Sequence, residues 1–145
     1  MTSEIFIGVY YVSPDAPKLE KITQGDWIDL YADEDVALQA GDSALLSLGV
    51  VIKLPRNYEA HLAPRSSTFK NYGVIQTNGV GIIDESYCGP NDVWKMPILA
   101  MRPTEIKRGS KIAQFRIMKK MSDVTFWTLS EPIGSDRGGF GSTGA

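Results

Sequence analysis

A single cysteine, Cys88, occurs in the 145-residue chain, so no disulfide can form within it, and a reducing compartment, the cytoplasm, is expected. No basic residue stands beside Cys88 to make its thiol reactive, and no chemistry is assigned to it. Long apolar runs are missing too. Nothing approaches the ~20 residues of a membrane span, and Met1 to Gly8 has no basic region leading into an apolar stretch, so neither membrane nor targeting segment is expected. Nor is there an excess of positive charge. A formal net charge of -2 gives no polycationic face for nucleic acid, which disfavours that partner and leaves a small anionic ligand open. The one histidine, His61, lies mid-strand and is read as structural or surface.

Helical periodicity is nearly absent as well, and what replaces it is alternation. Leu46, Leu48, Val50, Ile52 and Leu54 share one face of a stretch from Ala44 to Leu54, with Ser47, Gly49 and Lys53 on the other, the pattern of one half-buried strand. The segments Ile5 to Val12, Tyr58 to Ala63, Trp94 to Met101, Lys111 to Met118 and Val124 to Leu129 are also short and β-rich, separated by Pro55, Gly89, Pro103 and Gly109. Ser66 to Tyr72 alone suggests a helix, of little more than two turns. Many short strands with almost no helix predict an all-β sandwich, jelly roll or closed barrel, and the length fits one domain. The composition changes after residue 133. Five glycines with Ser135, Ser142 and Thr143 make 134–145 too poor in apolar residues to pack alone, so a mobile C-terminal tail beyond a 1–133 domain is expected.

Five segments hold polar groups that a β core does not need. In Asp26-Trp27-Ile28-Asp29-Leu30-Tyr31-Ala32, alternation turns Asp29 away from its apolar neighbours, as a surface carboxylate or a metal-associated one. In Ala63-Pro64-Arg65-Ser66-Ser67-Thr68, Pro ends a strand, Ser66 or Ser67 can cap the short helix, and Arg65 with the free amides there could hold phosphate. In Asn78 to Gly89, Gly79 and Gly81 let backbone approach a ligand, Gly89 closes what reads as a β-hairpin, and Asp84 follows two isoleucines at the wall of an apolar pocket that can tune its basicity. In Gly109 to Ile117, Gln114 and Arg116 face opposite to Phe115 and Ile117. Asp136 to Gly144 has a phosphate loop's glycines but neither a Gly-Lys-[Ser/Thr] ending nor a following helix, so it is not a P-loop. Instead it could fold down on an anionic ligand.

In this order and spacing the five segments resemble the five motifs of the trimeric dUTP diphosphatase (dUTPase) family, from about Asp26 to Ala145. The resemblance implies a distorted jelly-roll subunit and a homotrimer with active sites shared between chains. It implies hydrolysis of dUTP to dUMP and pyrophosphate, which limits uracil incorporation into DNA and supplies dUMP for thymidylate synthesis. By the same likeness Asp84 is the general base and Tyr87 packs beneath the deoxyribose. Asn78 and the backbone from Gly81 to Ile83 read uracil, while Arg65, Ser66, Ser67 and Gln114 hold phosphates. Asp29 acts through water on a Mg²⁺ bridging the triphosphate, and Arg137, Phe140, Gly141, Ser142 and Thr143 close the tail over the nucleotide. The fifth motif departs from the family by two fewer residues between Arg137 and Phe140, which leaves the lid to Phe140 or to Trp94, itself read first as core.

The nearest rival, a dCTP deaminase of the same fold, requires a catalytic Glu after Gly89, and Val93 to Met101 contains none. A rival of another class is a regulatory protein that binds dUTP and signals through a protein partner. Retention of Asp84 with the other motifs favours the enzyme.

Overall fold

A computed structural model describes residues 4–141. Eleven strands and one short helix run in the order β1 (Gly8–Tyr11), β2 (Ile28–Tyr31), β3 (Val36–Leu38), β4 (Ser43–Ser47), β5 (Val50–Lys53), β6 (Tyr58–Pro64), α1 (Thr68–Tyr72), β7 (Val74–Gln76), β8 (Gly81–Ile83), β9 (Lys95–Ala100), β10 (Thr104–Ile106) and β11 (Lys111–Lys119). Every pairing is antiparallel, and the strands form four small sheets, β1-β5, β10-β3, β2-β11-β6-β8 and β4-β9-β7. This is the expected all-β, distorted jelly-roll architecture with one short helix. Among the described residues no helix is long and apolar enough to cross a membrane.

Alternation places the core. Leu46 in β4, Ala60 and Leu62 in β6, and Met96, Ile98 and Ala100 in β9 are all buried, while their strand neighbours turn outward. In β11 two consecutive residues, Ile112 and Ala113, are buried, because a register shift between Lys111 and Ala113 inserts a bulge against β2. Trp94 is 1% exposed and stands edge-on to Phe115, with ring centroids 5.0 Å apart at 83°. It is a core residue, as first read, and no lid.

Three expectations are corrected. Ala44 to Leu54 is two strands rather than one: β4 pairs with β9 and β5 with β1. The corner is Gly49, at φ 68°, where a Cβ would lie 2.5 Å from Cγ of Asp33. The alternation survives the corner, since Leu46, Leu48, Val50, Ile52 and Leu54 are all buried. Val124 to Leu129 is not a strand, because a β-rich segment needs an edge to pair with and it pairs with none among the described residues; Phe126 is 92% exposed. The stretch ending at Gly89 is no hairpin either. β7 and β8 join different sheets across the turn at Gly79, and Gly89 belongs to a loop closed by Asp92.

Gly49→Ala is expected to lower stability by at least about 1–2 kcal/mol, the cost of left-handed backbone for a residue with a Cβ, before any displacement of Asp33. Urea unfolding checks it: the midpoint falls with the slope unchanged.

Candidate active site

The structure gathers the candidate residues into two groups. The first is built where β2, β11 and the end of β6 meet. Gln114 lies in register with Asp29 on one side and Ala63 on the other, so two polar side chains from different segments become neighbours. The Arg65 Nε–H donates to Asp29 Oδ1 at 3.0 Å, its Nη1 approaches Ser67 Oγ at 3.4 Å, and Gln114 Nε2 donates to the Pro64 carbonyl at 3.1 Å. Lys111 Nζ stands 3.6 Å from the other Asp29 oxygen. Both Asp29 and Arg65 are about 30% exposed, so a pair of opposite charges is held together while open to an incoming anion.

Ser67 occupies the helix cap position but its side chain makes no capping bond, contrary to expectation. The buried Thr68 does the local work instead. Its Oγ1 accepts from the Arg65 amide at 2.8 Å and donates to the Ile112 carbonyl at 3.0 Å, tying the start of α1 to β11 and orienting Arg65. Ser66 is exposed beside it.

The second group surrounds a cleft of about 560 Å³, a size suited to a small ligand. Asn78, Gly81, Ile83, Asp84 and Tyr87 line it together with Leu62, Trp94 and Pro97. Gly81 sits flush on β6, where a Cβ would meet Leu62 Cβ at 3.3 Å. Tyr87 is 41% exposed and its hydroxyl leans toward the Val93 carbonyl at 3.4 Å. The walls are largely apolar, and the charged side chains among the lining residues are Asp84 and Lys95.

Asp84 stands at the mouth of this cleft, more open than the apolar wall position expected of it. Oδ1 accepts from Lys120 Nζ at 2.8 Å, and Oδ2 accepts from the Ser86 hydroxyl at 2.5 Å and the Ser86 amide at 2.9 Å. Lys120 also pairs with Glu85 Oε1 at 3.0 Å, and Glu85 in turn accepts from the Asn57 amide. The Lys120 ammonium first, then the Ser86 hydroxyl and amide, hold the Asp84 carboxyl well below the usual carboxylate range. The carboxylate is therefore ionised throughout the neutral range.

Lys120 is a residue that sequence reasoning missed. It lies just past the end of β11 among polar neighbours and carries no motif; its importance comes only from the β11–β6–β8 pairing that sets it beside Asp84. Gln76, at the end of β7, was missed as well: it is buried beside Asn78. In the tail, Arg137 donates to the Gly138 carbonyl, and Phe140 and Gly141 are exposed, so among the described residues none of the three is hydrogen-bonded to either group. Ser142 and Thr143 lie outside the described residues. His61 pairs with Glu59.

Comparison with known proteins adds a family to this geometry. The dUTPase family model matches residues 21–144. The chain is 53% identical over 138 residues to the SPbeta prophage-derived deoxyuridine 5'-triphosphate nucleotidohydrolase YosS of Bacillus subtilis strain 168, covering 95% of this chain and 97% of that one. It is 40% identical over 121 residues to the deoxyuridine 5'-triphosphate nucleotidohydrolase of Thermoanaerobacter sp. strain X514, covering 81% and 80%. A Staphylococcus bacteriophage 80alpha dUTPase variant solved with dUpNHpp shares the fold at a TM-score of 0.79 and 18% identity, covering 97% and 99%. A variant dUTPase from phage phi11 of S. aureus, described as coordinating a structural Mg(II) ion, matches at a TM-score of 0.71 and 19% identity, covering 87% and 97%.

Lys120→Met removes the first cause of the depressed Asp84 pKa. An NMR titration of the Asp84 carboxyl is expected to move upward from its depressed position toward the ordinary value near 3.8; an unmoved titration would show that Ser86 alone sets it.

Proposed function

The chain belongs to the dUTPase family, and from that premise we propose that it hydrolyses dUTP to dUMP and pyrophosphate with Asp84 as the general base. The observation that carries this reading is the ionised carboxylate of Asp84 on a largely apolar cleft of small-ligand size. In the cleft, Asn78 and the backbone of Gly81 and Ile83 read the uracil edge, and Tyr87 lies against the sugar. A water between Asp84 and the α-phosphorus gives its proton to the carboxylate as its oxygen bonds to phosphorus. The α–β bridging oxygen departs with the pyrophosphate.

Proton transfer to a positioned base supplies roughly 10²- to 10⁴-fold. Alignment and charge stabilisation supply the rest. Arg65, Ser66, Ser67 and Gln114 are the phosphate donors in this reading, Arg65 holding Asp29 through Nε and leaving its Nη groups for phosphate. Asp29 is a lone carboxylate, and among the described residues no three His, Cys, Asp or Glu side chains gather to hold a metal. That donor set fits a Mg²⁺ carried in by the substrate, which Asp29 would hold through water. When bound, the ion offsets negative charge on the triphosphate.

The cleft reaches the phosphate group along β6, where Leu62 precedes Ala63, but Asp84 does not adjoin that group within one chain. Ala63 pairs with Gln114 and Ala60 with Ile83, the residue before Asp84, so several residues of β6, about 10 Å at roughly 3.3 Å each, separate them, on opposite sides of that strand. Asp84 must reach the α-phosphorus through one water while the phosphate donors touch the same triphosphate. A homotrimer, in which one copy's phosphate group faces another's cleft, meets both demands. The exposed Met121, Phe126, Trp127 and Ile133, each over three-quarters open in the single chain, support burial against further copies. In this assembly 134–145 forms the separate tail, with Arg137, Phe140, Gly141, Ser142 and Thr143 closing over the nucleotide.

Asp84→Asn keeps size and loses the base. Pyrophosphate release is expected to fall at least about 10²-fold while affinity for a non-hydrolysable dUTP analogue changes little; near-normal turnover would overturn the mechanism. Deleting 134–145 is expected to lower turnover without changing oligomeric mass or melting temperature, and light scattering with a thermal melt checks it. Tight dUTP binding by the wild-type protein without turnover in Mg²⁺ would favour a purely regulatory protein.

A further inference from the structure

Gln76 ends β7 and is 8% exposed, a rare buried polar side chain in this core. Its Nε2 makes two hydrogen bonds, to the Leu62 carbonyl at 3.1 Å and to Asn78 Oδ1 at 2.8 Å. Its Oε1 is buried and receives no hydrogen bond from the described residues. An apolar side chain at this position would avoid that buried, unsatisfied acceptor, so the amide stabilises the fold poorly and its value must lie in what its NH₂ orients.

The orientation follows from donor and acceptor logic. A backbone carbonyl can only accept, so the Gln76 atom facing Leu62 must be the nitrogen. The second hydrogen of that nitrogen points at Asn78, so the Asn78 atom facing it must be the oxygen. The Asn78 NH₂ is thereby left as the free end, close to the bare Gly81 backbone, where a Cβ would stand 3.6 Å from Nδ2, in the cleft those residues line.

We infer that Gln76 is a positioning residue for base specificity, holding the Asn78 amide so that it offers a donor and never an acceptor to the base. This rests on the reading of the cleft as the uracil pocket. Uracil presents a carbonyl at C4, which accepts from that donor, whereas cytosine presents an amino group there, which would meet donor with donor. Discrimination against an unpaired polar edge is strong because the mismatched groups are desolvated without a partner. The relay from Leu62 carbonyl through Gln76 to Asn78 thus carries the polarity of a main-chain group to the ligand.

The test compares kcat/KM for dUTP and dCTP in wild type, Gln76→Met, Asn78→Ala and the double variant. Gln76→Met frees the Asn78 amide to turn, and the dUTP/dCTP ratio is expected to fall about tenfold or more, chiefly through a higher KM for dUTP, with melting temperature held or raised. In the Asn78→Ala background the same change should have no further effect on the ratio. An unchanged ratio in folded Gln76→Met, with Asn78→Ala losing discrimination, overturns the role of Gln76 alone. An unchanged ratio in Asn78→Ala overturns the pocket reading beneath it. Should Gln76→Met not fold, NMR of the wild type decides. The Gln76 NH₂ must exchange slowly in the free protein and the Asn78 NH₂ must become protected on adding dUMP but not dCMP; the opposite pattern overturns the proposal.

Discussion

The pairing of β6 with β11 runs through seven register pairs, from Ala113 with Pro64 to Lys119 with Tyr58, and the position of every polar group in the site depends on it. At one end this ladder delivers Gln114 beside Asp29 and Arg65. Past the other it delivers Lys120 to Asp84, because β8 pairs with the opposite side of β6. A slip of one residue would turn Phe115 and Leu62 out of the core and the polar side chains inward. The same hydrophobic pattern that builds the core therefore sets the spacing of the chemistry.

That spacing has an electrostatic consequence. Each anionic side chain proposed to act on substrate is balanced by a cation within the same chain, Asp29 by Arg65 and Lys111, Asp84 by Lys120. Arg65 can turn its remaining donors to phosphate without leaving Asp29 unpaired, since Lys111 stays near. Asp84 is held ionised, its carboxylate accepting from Lys120 and Ser86.

The all-β class, the core face running from β4 into β5, the outward side of Gln114 in β11 and the short helix were legible from alternation and punctuation, and five residues grouped by motif order, Asn78, Gly81, Ile83, Asp84 and Tyr87, line one cleft. What alternation does not encode is which strand lies beside which. For that reason the corner at Gly49 read as continuous strand, the stretch closed by Gly89 read as a hairpin, and Val124 to Leu129 read as a strand although it pairs with no strand among the described residues. Lys120 and Gln76 were invisible for the same reason: each matters through a neighbour remote in sequence or through a carbonyl, and neither sits in a motif. Thr68 displaced Ser67 as the local organiser because burial lets its hydroxyl bridge two backbones at once.

The central proposal is that the cleft with Asp84 and the phosphate group with Arg65 act together only across copies of the chain. Mixing tests it directly. Asp84→Asn and Arg65→Ala proteins, each inactive alone, are unfolded together and refolded as mixed assemblies, and pyrophosphate release from dUTP is measured. If each site joins one copy's Asp84 to another's Arg65, random assortment restores about a quarter of the sites, and activity returns. If both groups serve a site within one chain, every site in the mixture still carries one defect, and activity stays absent.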